Sequence, residues 1–133
     1  MPPAAGTILG LGTDIVEIER LRQSLERTGG AFLEKAYTAE ERAAMPAHEA
    51  RRLEYLAGRW AAKEAFAKAL GTGITSECRL EDIAVRNEPE TGRPVMTLAG
   101  PALATARRLG VQAIHLSISH ERHYAVATVL LTA

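Results

Sequence analysis

Residues 47–70 read AHEARRLEYLAGRWAAKEAFAKAL, a run rich in Ala, Leu, Arg, Lys and Glu that stops at Gly71-Thr72-Gly73. These are strong helix formers, and a glycine just past the last periodic residue closes a helix in the left-handed conformation it adopts at little cost. The stretch predicts one long central helix. At about 100° per residue, Leu53, Ala57, Trp60, Glu64 and Ala67 share a narrow arc, which puts Glu64 in the middle of an apolar face. A carboxylate there is costly unless a cation, a hydrogen bond or a metal compensates it. A structural ion pair explains Glu64 as well as a metal site does at this point, and Lys68, four residues on, offers one partner. Arg59, Lys63 and Lys68 could together wall a phosphate site; Lys63 taken alone reads as a solvated surface charge.

Working outward, TILGLGTDIV (residues 7–16) is apolar and β-branched, interrupted by glycines, and reads as a strand with an acid, Asp14, near its end. Asp14 suits the N-cap of the helix that follows over residues 17–27, where Ile18, Leu21 and Leu25 have helical spacing and Gly29-Gly30 provides the stop. With a second carboxylate beside it, Asp14 would suit Mg²⁺ instead, a hard ion that takes one or two carboxylates with waters and phosphate oxygens. On that first helix Arg20 and Arg27 project from nearly one side, a small basic stripe that Glu17, Glu19 and Glu26 can neutralise. Thr38 and Glu41 have the spacing of a capping box for a brief helix that Pro46 ends.

Beyond the central helix, residues 80–87 and 95–98 read as a hairpin whose turn contains Thr91-Gly92-Arg93-Pro94. Pro101 opens a helix to Leu109, closed by Gly110. Residues 115–120 and 124–131 form a second hairpin. In the first of these strands His115, Ser117 and Ser119 share one face and His120 points the other way. A hydrolase triad does not fit, because no serine sits at a strained strand-to-helix turn. His120 and His123 lack a third ligand at zinc spacing. The order of elements predicts an α+β fold, a largely antiparallel sheet packed against one long central helix and shorter helices.

The 133 residues suffice for a single core, with 47% hydrophobic and 24% charged residues. Sixteen basic residues balance sixteen acidic ones, so no global field draws the chain to nucleic acid or an anionic membrane. Near-zero charge also leaves little to oppose self-association. A single cysteine, Cys78, excludes an intrachain disulfide, and with no signal-like or bilayer-length apolar run the expectation is a cytoplasmic protein.

Three segments, GLGTDIVEIER (residues 10–20), AGRWAAKEAFAKALGTGI (57–74) and HLSISHERHYAVA (115–127), joined by TGRP (91–94), resemble the holo-acyl-carrier-protein synthases, the short group of 4′-phosphopantetheinyl transferases. The resemblance spans roughly residues 7–130. It departs in a Pro-containing extension over residues 1–6, ahead of a single transferase domain at 7–133, and in Trp60, where the family more often has Phe. It implies transfer of 4′-phosphopantetheine from coenzyme A to a serine of apo acyl carrier protein, releasing adenosine 3′,5′-bisphosphate. Asp14 and Glu64 match the Mg²⁺ ligands, and Arg59 and Lys68 match phosphate-binding positions. His115, Ser117 and Ser119 would lie near the nucleotide, and Gly92, Arg93 and Pro94 would shape the adenine pocket. Glu64, directly or through a metal-held water, is the implied base for the serine proton. The family forms homotrimers with active sites at subunit interfaces, which leaves open whether Asp14 and Glu64 of one site come from one chain or two. Arg20 and Arg27 would receive the acidic helix of the carrier protein. Two other readings use the same residues: a coenzyme A-binding module with no catalysis, and a Mg²⁺-dependent pyrophosphate hydrolase that attacks with water.

Overall fold

The computed structural model describes residues 2–133. Strand β1 (Ile8–Glu17) leads into helix α1 (Ile18–Thr28), and the short helices α2 (Gly30–Ala36) and α3 (Ala39–Ala43) precede the long helix α4 (Glu49–Leu70). A 3-10 turn at Leu80–Asp82 opens β2 (Ile83–Asn87), followed by β3 (Pro94–Leu98), α5 (Gly100–Arg108), β4 (Ala113–His120) and β5 (Tyr124–Thr132). The expected α+β architecture is present, with every sheet pairing antiparallel. Its strands form two sheets: β1-β5-β4, with β5 in the middle, and the separate β2-β3 hairpin.

Two local expectations are corrected. Gly29, at φ 61°, does stop α1, but it serves at once as the N-cap of α2, a helix the sequence reading missed. Residues 80–82 are not strand: Asp82 accepts from the backbone N–H of Arg79 and of Ala102, tying the 3-10 turn to α5.

Helix α4 lies across the inner face of the three-stranded sheet. Gly10 and Gly12 allow this approach, because a Cβ at either would collide with the carbonyl oxygen of Ala69 or Ala65. Alanines 61, 62, 65 and 69 of α4 pack with Val129 and Leu131 of β5 and with Ile83 and Val85 of β2 in one core. Leu56 and Ala57 join Ile18, Leu21 and Tyr37 in a second. Both sides of α4 are thus covered, and the single apolar arc read from the sequence is corrected: the row that stays open runs through Trp60, Glu64 and Lys68.

Lys63 is corrected too. It is fully buried, and its ammonium donates to Glu41 Oε1 at 2.6 Å, Ala36 O at 2.7 Å and Leu80 O at 3.2 Å. Glu41 is equally engaged. Its Oε1 accepts from Thr38 N, completing the expected capping box, and its Oε2 accepts from Val85 N at 2.9 Å. Burial pulls the Lys63 pKa down and the Glu41 charge opposes it. The pair pins α2, α3, the 3-10 turn and β2 to α4.

Candidate active site

Asp14 reaches the inner face of the sheet because the strand alternation that exposes Thr13 and Ile15 turns Asp14 inward, opposite Ala127 of β5. It does not cap α1: the N-cap position is Glu17, without a side-chain cap bond. Glu64, on the open row of α4, lines the same cleft as Asp14, about 440 Å³ between β1, α1, α2 and α4. One chain therefore supplies both acids. Arg20, Phe32 and Trp60 also line this cleft.

The charges in the cleft are only partly compensated. Lys68 Nζ lies 2.9 Å from Asp14 Oδ1 and 3.1 Å from Thr13 O, so its partner is Asp14 and not the neighbouring turn's Glu64. Glu64 has no hydrogen bond or ion pair among the described residues. Burial, then the nearby Asp14 charge, raise its pKa above the ordinary carboxylate range, and Lys68 opposes them. Two facing carboxylates, one unpaired, are a hard-oxygen donor set suited to Mg²⁺. No three His, Cys, Asp or Glu side chains cluster as a metal group among the described residues. Two carboxylates nevertheless suffice for Mg²⁺ when waters and substrate phosphates complete the shell.

A second cleft of about 380 Å³ opens elsewhere on α4, lined by Arg51, Glu54, Tyr55, Arg59, Asn87 and His120 among others. Arg59 is 8% exposed, stacks 4.0 Å over the Tyr55 ring and donates from Nη2 to Asn87 Oδ1 at 3.2 Å. Its Nε is buried with no partner, and no carboxylate pairs with it among the described residues. A guanidinium with a donor left over and no carboxylate beside it is suited to an anion. The sequence reading singled out neither residue that holds it: Asn87 carried no signal, while Tyr55 stands one helical turn before Arg59. His120, on the opposite face from His115 as expected, is exposed and lies 2.7 Å from Glu54.

The turn with Gly92, Arg93 and Pro94 adjoins this second cleft, since Asn87 faces Pro94 across the hairpin. Arg93 is bound to Glu88. His115, Ser117 and Ser119 lie on the outer face of the three-stranded sheet, away from α4, in rows with Leu11, Thr13 and Ile15. Within one chain they meet neither cleft. Beside them, Leu11 and Ile15 are 66% and 63% exposed, and Tyr124 is also exposed. On α1, Glu19 and Glu26 both pair with Arg22, which leaves Arg20 and Arg27 without an ion-pair partner among the described residues. No helix among the described residues is long and apolar enough to cross a membrane.

Comparison with known proteins places these features in context. Residues 10–129 match the model of the 4′-phosphopantetheinyl transferase superfamily. A holo-[acyl-carrier-protein] synthase of Vibrio parahaemolyticus is 50% identical over 124 residues, 93% of this chain and 97% of that protein. The crystal structure of the holo-[acyl-carrier-protein] synthase of Neisseria meningitidis superposes with a TM-score of 0.87 at 34% identity, covering 94% of this chain and 98% of the other. The Bacillus anthracis counterpart, in complex with CoA (3′,5′-ADP), gives 0.77 at 37% identity, covering 95% and 97%.

Proposed function

The chain belongs to the 4′-phosphopantetheinyl transferase superfamily as a holo-[acyl-carrier-protein] synthase, and from that premise we propose that it moves the 4′-phosphopantetheine group of coenzyme A onto a serine of an apo acyl carrier protein. The observation that carries the mechanism is the pair of carboxylates, Asp14 and Glu64, in one cleft with Glu64 unpaired and its pKa raised.

Asp14 and Glu64 would hold Mg²⁺, which when bound neutralises charge on the pyrophosphate and on the departing bisphosphate. Arg59, whose cleft lies elsewhere on α4 from that of Asp14 and Glu64, would receive a phosphate group of the coenzyme A held by a neighbouring copy. Lys68 contributes an ammonium that neutralises phosphate charge during transfer. Glu64, a stronger base than a solvated glutamate, takes the serine proton directly or through a water. The serine oxygen attacks the β-phosphorus in line; the bond from that phosphorus to the bridging oxygen breaks, and adenosine 3′,5′-bisphosphate leaves with the electron pair. Gly92, Arg93 and Pro94 border the adenine. Arg20 and Arg27, without ion-pair partners among the described residues, receive the acidic helix of the carrier and chiefly set orientation and on-rate.

The exposed Leu11, Ile15 and Tyr124 on the outer sheet face support association between copies through that face, which we take to be the homotrimer that the family resemblance implies. Packing through that face brings His115, Ser117 and Ser119 of one copy to the nucleotide of the next. Residues 7–133 act as one transferase domain and 1–6 as an extension, in a cytoplasmic setting.

Intact-mass spectrometry of an apo acyl carrier protein incubated with coenzyme A, Mg²⁺ and this protein is the test. The expected result is a gain of one phosphopantetheinyl group, lost with Asp14→Asn, with Glu64→Gln and with a chelator. Bound or hydrolysed coenzyme A with no gain on several carriers would overturn the transferase in favour of a binding module or a hydrolase.

A further inference from the structure

Lys68 occupies an unusual place for a phosphate-binding lysine. Its side chain is 51% exposed, yet its ammonium is turned back onto Asp14 Oδ1 at 2.9 Å and onto the Thr13 carbonyl at 3.1 Å. Asp14 is thereby neutralised by a residue of its own chain. A divalent ion that uses Asp14 meets a positive charge already seated on the same carboxylate, and two cations within a few ångströms repel. Lys68 cannot stay where it is when that ion arrives. Its long, half-exposed stem lets it swing, and the anion that comes with the ion is a ligand phosphate.

We propose that Lys68 is a resident counter-ion: it holds the cation position at Asp14 in the free protein and passes to a phosphate oxygen of the ligand when the divalent ion binds. The inference rests on the assignment of Asp14 and Glu64 as metal ligands and adds a thermodynamic consequence to it. Ion and phosphate ligand help one another to bind, since the phosphate removes the lysine from Asp14 and the ion makes its removal worthwhile. By linkage the two effects are equal. The arrangement also keeps the cleft from collecting divalent ions in the absence of nucleotide.

The experiment measures Mn²⁺ binding to the full-length protein by the loss of the free-ion paramagnetic resonance signal, with and without coenzyme A and with no carrier protein present. For the unaltered protein, Mn²⁺ alone binds weakly and coenzyme A tightens it by about tenfold, within the usual range of coupling between sites. In Lys68→Met, Mn²⁺ alone binds about tenfold more tightly than in the unaltered protein, and the tightening by coenzyme A shrinks to the part that direct ligation of the ion by phosphate supplies, since the repelling charge is gone. Lys68→Arg keeps the weak binding and the coupling. A purely structural lysine would give no gain in ion affinity on removal. Lys68→Met that binds Mn²⁺ no more tightly than the unaltered protein, while Asp14→Asn abolishes binding, overturns the counter-ion role and leaves the metal ligands standing. Binding unchanged by Asp14→Asn overturns the metal ligands and the inference together.

Discussion

Two ion pairs on one helix, five residues apart, are built to opposite ends. At Lys63 every donor and acceptor is accounted for: the ammonium has three oxygens, Glu41 receives two backbone N–H groups besides, and neither side chain meets solvent to any extent. At Lys68 the side chain is half exposed, its partner Asp14 lines a cleft, and Glu64 beside them has no partner among the described residues. A saturated buried pair has nothing left to offer a ligand and acts as a joint between elements. An unsaturated one retains its capacity to bind. The adjacent residues Lys63 and Glu64 thus divide structure from chemistry.

Substitutions sharpen this contrast, beginning with the largest effect. Glu64→Gln, which keeps size and removes charge, should lower the rate of carrier modification by about 10⁴-fold. Circular dichroism and the unfolding midpoint should remain those of a folded protein; a variant that loses its fold instead would erase the distinction. Lys63→Met should do the reverse, destabilising the protein by about 3–5 kcal/mol because it leaves Glu41 as an uncompensated buried charge. Urea titration reads this directly, and Lys63→Met combined with Glu41→Gln should recover part of the loss, since the amide oxygen still serves one of the N–H groups.

Lys68→Ala provides the matched control at the open pair. Its effect on folding stability should stay below about 1 kcal/mol, as an exposed, screened pair contributes little. A loss as large as that at Lys63 would remove the contrast. The smallest effect is one of sign. Because the folded protein holds Glu64 with a raised pKa, ionising it opposes folding: its contribution is intact below the ordinary glutamate value and is lost as pH rises through the folded value. In chelator-containing buffer, Glu64→Gln should therefore be slightly more stable than the unaltered protein at neutral pH, and the gap should close as pH falls below about 4.3. A gap of the other sign would show that Glu64 has a hidden cationic partner.

The same contrast explains what could be read from the chain alone. Local grammar was legible: the Thr38–Glu41 capping box, the glycine that ends α4 and the acids that stand out in apolar runs all depend on neighbours a few residues away. Glu64 was noticed for that reason. Lys63 was misjudged because a lysine in a helix is usually solvated, and its partner Glu41 comes from 22 positions earlier. Helix α2 was missed because seven residues show too little periodicity and its first glycine looked like a stop. Asn87 had no signal, since its part at Arg59 exists only once β2 and α4 have met, whereas Tyr55 stands four residues before Arg59 on α4, a spacing the sequence does show. The resemblance carried the site further than patterning did, by pairing Asp14 with Glu64, which the fold places in one cleft.

The placement of β1 bears on when the cleft can exist. Thr13, next to Asp14, donates to the carbonyl of Ala127, 114 positions along the chain, and among the described residues β1 pairs with β5 alone. Helix α4, with Glu64, can form long before β5 leaves the ribosome, whereas Asp14 has no sheet to fix it until then. The two acids are therefore brought together only after β5 has emerged, and a nascent chain stalled before residue 124 would carry one half of the cleft without the other.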